Sequence, residues 1–490
     1  MKKTITLLLI TAMLTSLCAC GQTETPENDM AGTSDTAGTG TETEAAEIPE
    51  ETMKDYLAEL PDASYDGFTY RILALPEDIC VGIQSFWAEE ATGEIINDVV
   101  FARNSYVQER YNIAMEYEAA TGVITTAANL AKAGDDTYAV VSDEAKLHMA
   151  SATQGIFFDL HKIESMDLTS PWWYQDAVDS LTIAGKLYAG YSDINTQIKE
   201  RVACMFINLD IVENNNLGDP YQMVLEGTWT LDTATGMASA AVRDLDGDGK
   251  LGQNDVAGTI VGIGSYNVMI NGCDQPLASK DEDGNVTLRY GSEGFINAAE
   301  KVAAHINDRS IGVYLNTDPW GEQLFYEGNA LLYSSNLFAY TKMRDFESHF
   351  GIVPIPKYDE AQERYRSMMN NSSMGISIPI SVKDAECVGT VTEALNAYSY
   401  MHLKDAYYET LLKGKLARDE TSLTMLDIIT TSFIVDYGVM NENTWGNVIF
   451  SWMDTMAGTG PSGLAALHTS NLKMFNKLYD KILSSYEQNP

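Results

Sequence analysis

Between residues 68 and 142 short apolar runs alternate with longer amphipathic ones, and this alternation constrains the fold more than anything else in the chain. FTYRILAL at 68–75 has the length and apolar density of a strand. Ile95, Val99, Ala102 and Tyr106 then recur at helical spacing, with Ile96, Val100, Val107 and Tyr111 beside them, which predicts an amphipathic helix. Ile113, Met115 and Tyr117 alternate with Ala114, Glu116 and Glu118, the period of a half-buried strand. After a further helical stretch, YAVVS at 138–142 predicts a buried strand ended by acidic residues. A β-α-β-α-β succession implies a mostly parallel sheet with helices on both faces and ligand sites outside the carboxyl ends of the strands.

Further along, KLYAGYSDI at 186–194 predicts another strand ahead of ACMFINLDIVENN. These runs, with 186–194 as the first crossing and GNALLYSS at 328–335, ahead of GIVPIP at 351–356, as the second, are expected to pass between two lobes. Beyond Lys383 the pattern is helical, with ECVGTVTEALNAYSYM, KDAYYETLLKGKLA and SLTMLDIITTSFI as amphipathic segments. The absence of an internal repeat excludes solenoids and propellers.

The beginning of the chain assigns a compartment. Lys2 and Lys3 precede an apolar run from Ile5 to Leu17, and Leu17-Cys18-Ala19-Cys20-Gly21 closes it, the form of a signal peptide with a lipobox. The run is roughly 13 residues, short of the ~20 that a membrane-spanning helix needs, so cleavage before Cys20 is expected. Acyl chains on Cys20 would then anchor the protein on the extracytoplasmic face of the cell membrane. Residues 1–20 are thus the leader, and 21–62, rich in Thr, Gly, Ala and Glu, form a disordered acidic tether that supplies reach.

The remaining length suffices for one large two-lobed body. A formal charge of −39 speaks against nucleic acid as a partner. The same field disfavours a strongly anionic solute unless local Arg or Lys override it. Cys80, Cys204, Cys273 and Cys387 are scattered without a C-x-x-C pair, so buried thiols are expected and no disulfide.

Together these stretches resemble the extracellular solute-binding proteins of family 1, the carbohydrate-type binding subunits of ABC importers. The resemblance runs from about residue 66 to 483. It rests on GEIINDVVFARNSYVQERYN, KAGDDTYAVV, DLTSPWW, GKLYAGYSDIN, EGTWTLD, GIVPIPKYDEAQERYRS and RDETSLTMLDII in that order. It implies an α/β, two-lobed periplasmic-binding-protein-like fold of type II, with parallel-type sheets flanked by helices and a helical C-terminal layer. Lobe 1 is expected over 63–190, lobe 2 over 191–331, a return to lobe 1 over 332–380, and the helical segment over 381–490. It also implies a monomer that captures a sugar or oligosaccharide, closes on it by hinge bending and delivers it to an ABC permease.

DLDGDGKLGQND at 244–255 is the strongest chemical motif. Asp244, Asp246 and Asp248 occupy positions 1, 3 and 5 of a calcium loop, Gly249 takes the turn at 6 and Lys250 offers its carbonyl at 7. Carboxylates converging in one turn repel one another unless a hard cation sits among them. Asp255 stands at position 12 in place of Glu, and no second helix follows, so structural Ca²⁺ in lobe 2 is the expectation rather than a sensor.

Sugars are held by aromatic faces and by carboxylate or amide groups that take paired hydroxyls. The candidates near the expected crossings are Tyr191, Asp193, Trp320, Tyr333, Asn370, Asn371 and Trp445; Trp172, Trp173 and Trp229 read as core. Six histidines show no metal-ligand spacing, and neither a G-x-S-x-G nor a P-loop occurs. No enzyme is therefore expected. A glycoside-acting enzyme, which needs only two suitably separated carboxylates, and a cell-surface adhesin are the alternatives.

Overall fold

Strands β1 (Thr69–Ala74), β2 (Ala114–Ala119) and β3 (Val140–Glu144) are followed by β4 (Ala203–Asn208), β5 (Ala257–Val261) and β6 (Gly312–Tyr314). Then come β7 (Ala330–Asn336), β8 (Phe350–Val353), β9 (Ser367–Met368), β10 (Met374–Ser377) and β11 (Phe433–Ile434). The computed structural model describes residues 54–80, 82–343, 348–413 and 420–489. The leader, Cys20 and the tether as far as residue 53 lie outside the described residues.

The first sheet has the order β10-β3-β1-β2. β1 runs parallel to β2 and β3, and β10 closes the edge antiparallel to β3. Helix Ile95–Tyr111 returns the chain from β1 to β2 and buries Ile96, Val100, Arg103, Asn104, Val107 and Tyr111. It stops at Asn112 in the left-handed conformation (φ 49°), where the Asn112 N–H reaches back to the carbonyls of Gln108 and Glu109. The β-α-β-α-β reading of residues 68–142 is thus the architecture of this half.

The second sheet has the order β8-β4-β7-β5-β6. β4 is antiparallel to both neighbours, while β5 is parallel to β7 and β6. Every residue of β4 is buried. The runs at 328–335 and 351–356, expected as crossings, contain β7 and β8 and belong to this sheet. Uninterrupted apolar runs need cover on both faces, and a strand inside a helix-flanked sheet provides it. Residues 186–194 form no strand among the described residues. Gly190 makes a single bridge to Ile376, and Ser192 one to Trp173.

The chain passes between the sheets at 192–202 and again at 354–373, and β9 pairs with β11 in parallel between the halves. The tail is helical and packs on both halves. Helix Ala385–Lys413 packs along Ile95–Tyr111, Glu420–Thr431 against β8, and Asn447–Gly458 against helix Ile263–Gly272. Arg103, 1% exposed, ties several of these parts together. Its guanidinium donates to the carbonyls of Ser85, Phe86 and Ile194 and to the side chains of Asn104 and Ser399, all at 2.8–3.0 Å.

The turn Tyr56–Glu59 is capped by Asp55, and the Tyr56 ring meets Trp172 and Tyr400 edge-on at 5.5 and 5.7 Å. Cys80, Cys204, Cys273 and Cys387 are buried and unbridged. No helix among the described residues is long and apolar enough to cross a membrane.

Candidate functional site

β5, β6 and β7 end on the same rim of the second sheet, and β4 begins there, with Ala203 opposite Asn336. Just beyond these strand ends lies a cavity of about 420 Å³. Its second-sheet wall consists of Ser334, Ser335 and Asn336 from β7, with Ser265 and Asn267 from the first turns of helix Ile263–Gly272. Arg201 of the first crossing, Asn370 and Asn371 of the second, and Glu442 and Phe450 of the tail complete it. This is the position open α/β sheets reserve for ligands.

Its polar groups are partly tied to one another and partly free. Arg201 Nη2 donates to Asn370 Oδ1 at 3.2 Å and to the Ser372 hydroxyl. Asn371 Nδ2 donates to Glu442 Oε2 at 2.5 Å. The Tyr333 hydroxyl donates to Glu322 Oε1 at 2.7 Å, as does Tyr326, and Lys342 joins them at 3.1 Å. Burial alone would raise the Glu322 carboxyl, but these hydrogen bonds outweigh it and hold the group below its ordinary value. Arg201 Nε, Asn267 Oδ1 and Ser334 Oγ are buried without a hydrogen-bond partner among the described residues. Buried polar atoms without partners are costly, so a wall that keeps three of them suits a ligand rich in hydrogen-bonding groups.

A second cavity, about 730 Å³, is lined by Trp173, Tyr174, Asp193, Lys199, Arg366 and Phe433 among others. The crossing segments divide the two cavities: Lys199 and Arg366 line this one, Arg201 and Asn370 the other. At its centre Tyr174, Asp193 and Lys199 satisfy each other. Lys199 Nζ donates to Asp193 and, at 3.1 Å, to the Tyr174 hydroxyl, which donates to Asp193 Oδ1 at 2.9 Å. The Tyr174 ring lies 4.7 Å from that of Phe433. With its central carboxylate already paired, the larger cavity offers a solute less than the smaller one.

Of the seven candidates, Tyr333, Asn370 and Asn371 meet in the first cavity. Even there the Tyr333 ring packs between Phe206 and Phe325 and is only 5% exposed. Asp193 lines the second cavity. Tyr191 is buried against Gly375, and Trp445 is buried between Tyr437 and Phe475, so neither faces a cavity. Trp320 is half-buried and precedes the short helix Gly321–Tyr326. Sequence reasoning did not single out Arg201, Asn267, Glu442 or Phe450. Arg201 carried a signal, a charge two residues ahead of the apolar run Ala203–Ile207; Asn267 sits in a helix whose composition gives none.

In the loop at 244–255, carboxylate oxygens of Asp244, Asp246 and Asp255 lie within 4.8 Å of one another. Asp248 is outside that group and accepts from the Lys250 N–H at 2.7 Å. Gly247 and Gly249 take φ of 76° and 77°, which aims their N–H groups at Asp244 at 2.7 and 2.9 Å. Asp255 is buried, and hydrogen bonds from the backbone of Leu245 and Gly252 hold its carboxyl below the ordinary value. Those bonds engage both of its oxygens with the loop itself.

No family model matches the chain, and no curated protein is similar to it in sequence. Among solved structures, M. tuberculosis UspC is similar at TM-score 0.56 and 14% identity, over 84% of this chain and 100% of that one. The ABC substrate-binding protein Lmo0181 from Listeria monocytogenes, in complex with cycloalternan, is similar at 0.51 and 12%, over 85% and 99%. The GacH receptor of Streptomyces glaucescens, described unliganded and with acarbose, is similar at 0.52 and 12%, over 84% and 99%. At these identities the likeness concerns the fold. The two-lobed, periplasmic-binding-protein-like α/β architecture expected from the sequence is the architecture of this chain.

Proposed function

We propose that this protein captures a sugar or oligosaccharide in the cavity at the rim of the second sheet and delivers it, by lobe closure, to the permease of an ABC importer. The observation that carries this reading is the wall itself, where hydroxyl, amide and guanidinium groups converge at the strand ends and Arg201 Nε, Asn267 Oδ1 and Ser334 Oγ have no hydrogen-bond partner among the described residues. Such groups exchange hydrogen bonds with a polyhydroxylated solute, and Phe450 supplies an aromatic surface for its C–H face. The complexes of Lmo0181 with cycloalternan and of GacH with acarbose support the choice of oligosaccharides. Anchoring through a lipid on Cys20, outside the cytoplasm, and action as a monomer belong to the same proposal and rest on the leader sequence and the resemblance.

Glu442 is the one carboxylate lining the cavity among the described residues, whereas hydrolysis of a glycosidic bond ordinarily takes two. This weighs toward binding without turnover. A thermal-shift screen of the full chain against mono- and oligosaccharides, neutral and acidic, alongside a reducing-end assay, tests the reading. Stabilisation by a sugar class without release of reducing ends is expected. Turnover would establish the glycoside-acting enzyme, and adhesion to glycan surfaces without capture of free sugar the adhesin.

We also propose that the loop at 244–255 takes structural Ca²⁺ through Asp244, Asp246 and Asp255. Addition of Ca²⁺ should raise the melting temperature of the full chain, and Asp246→Ala should abolish that rise. An equal rise in the variant would contradict the assignment.

A further inference from the structure

Arg201 poses a question that a neutral solute does not answer. It is the one cation lining the cavity, and among the described residues it pairs with no carboxylate. The carboxyls that bear on it are otherwise engaged. Glu144 pairs with Lys146 at 3.1 Å. Glu200 accepts from the Ile83 N–H at 2.5 Å and makes no ion pair with Arg201, and burial raises its carboxyl. Glu442 is held by Asn371. The bonds Arg201 makes among the described residues use Nη2 alone and go to neutral oxygens, so no carboxylate contacts the guanidinium.

A second positive pole lines the same space. Helix Ile263–Gly272 begins at the cavity, with Gly262, Gly264 and Ser265 on its wall; the Gly262 and Ile263 N–H groups are capped by Ser265 Oγ and Asn316 Oδ1, and the partial positive charge of the helix N-terminus lies at this wall. Asn267, in the next turn, is 7% exposed and lines the cavity, and its Oδ1, an acceptor, has no hydrogen-bond partner among the described residues. A guanidinium in contact with no carboxylate and a helix N-terminus are the components of an anion subsite, and the free Asn267 Oδ1 beside them accepts from a hydroxyl of the same solute.

Resting on the sugar-capture reading, we infer that the natural solute is an acidic sugar whose carboxylate is taken by Arg201 and the N-terminal turn of helix Ile263–Gly272. A hexuronate unit fits better than a phosphorylated sugar. One guanidinium balances one negative charge, and the overall charge of −39 makes a dianion harder to admit. Glu442 and Asn371, bonded to each other, remain for the ring hydroxyls.

The test is calorimetric titration of the full chain, purified in detergent, with D-galacturonate and D-glucuronate against D-galactose and D-glucose. A uronate should bind at least about tenfold more tightly than its neutral parent, the usual scale for a charge-assisted bidentate contact. Arg201→Gln should erase that preference while Arg201→Lys keeps part of it. Neutral sugars binding as well as uronates, or a preference that survives in Arg201→Gln, would overturn the inference and leave sugar capture standing. Failure of all four sugars to bind would also overturn it, and the oligosaccharide screen then decides separately whether sugars are captured. If Arg201→Gln does not fold, uronate against its methyl ester on the unaltered chain carries the same comparison.

Discussion

Arg103 shows how one side chain can set several elements at once. Five hydrogen bonds leave its guanidinium, all to neutral acceptors, in a site that excludes water. Arg103→Met should therefore orphan buried carbonyls of Ser85 and Ile194 and destabilise the protein by ~3 kcal/mol or more, measured by denaturant unfolding. Glu393 presents a different case. Both of its oxygens accept from the indole N–H groups of Trp172 and Trp173 at 2.8 Å, yet burial raises its carboxyl to about 8. Glu200 is raised to about 8 by the same cause. In the unfolded chain such groups titrate near ~4.3, so the folded state holds protons the unfolded state has released, and stability is lost as pH rises toward 8. His148 and His305, pushed down to about 4 by burial, act in the opposite sense, but only below their ordinary range. The melting temperature should accordingly fall from pH 7 to 8.5, and Glu393→Gln should flatten the decline; a rise over that interval would contradict the account.

At the scale of elements, close packing is most exposed to test where β5 meets helix Leu231–Ala241. A Cβ on Gly258 would stand 2.2 Å from the Ala238 carbonyl oxygen and 2.8 Å from that of Ile311, both backbone atoms that cannot swing away. Gly258→Ala should cost about 1–3 kcal/mol. On the same helix Gly236 has open space around its Cβ direction, so Gly236→Ala should stabilise by about 1 kcal/mol through helix propensity alone. A pair of unfolding curves checks both signs. The elements of the first sheet were legible because Ile95–Tyr111 and its flanking strands each carry a period of their own. Residues 328–335 and 351–356 were legible as apolar runs but not as members of a sheet, since burial on both faces removes the alternation that reveals a strand's neighbours. Residues 186–194 read as a strand on composition, yet only single bridges form there, because pairing depends on what the remote segment at 376 presents.

For the molecule as a whole, two cavities lie on either side of the segments that join the sheets, and the account assigns solute capture to the smaller. Asn370 and Asn371 were legible because they follow a motif at the second crossing; Tyr333 was legible as an aromatic on an apolar run. Arg201, Asn267 and Glu442 come from a crossing, a helix start and the tail, more than 60 residues apart from one to the next, and only the folded chain brings them to one wall. Tyr191 and Trp445 illustrate the converse. Both had the composition of a sugar platform, and both serve as core. The most direct test of the central claim is a crystal structure of the protein with the sugar that stabilises it most. Density for that sugar against Asn267, Ser334 and Arg201 is the predicted result, and density against Tyr174 and Phe433 instead, with the first cavity filled by water, would contradict it.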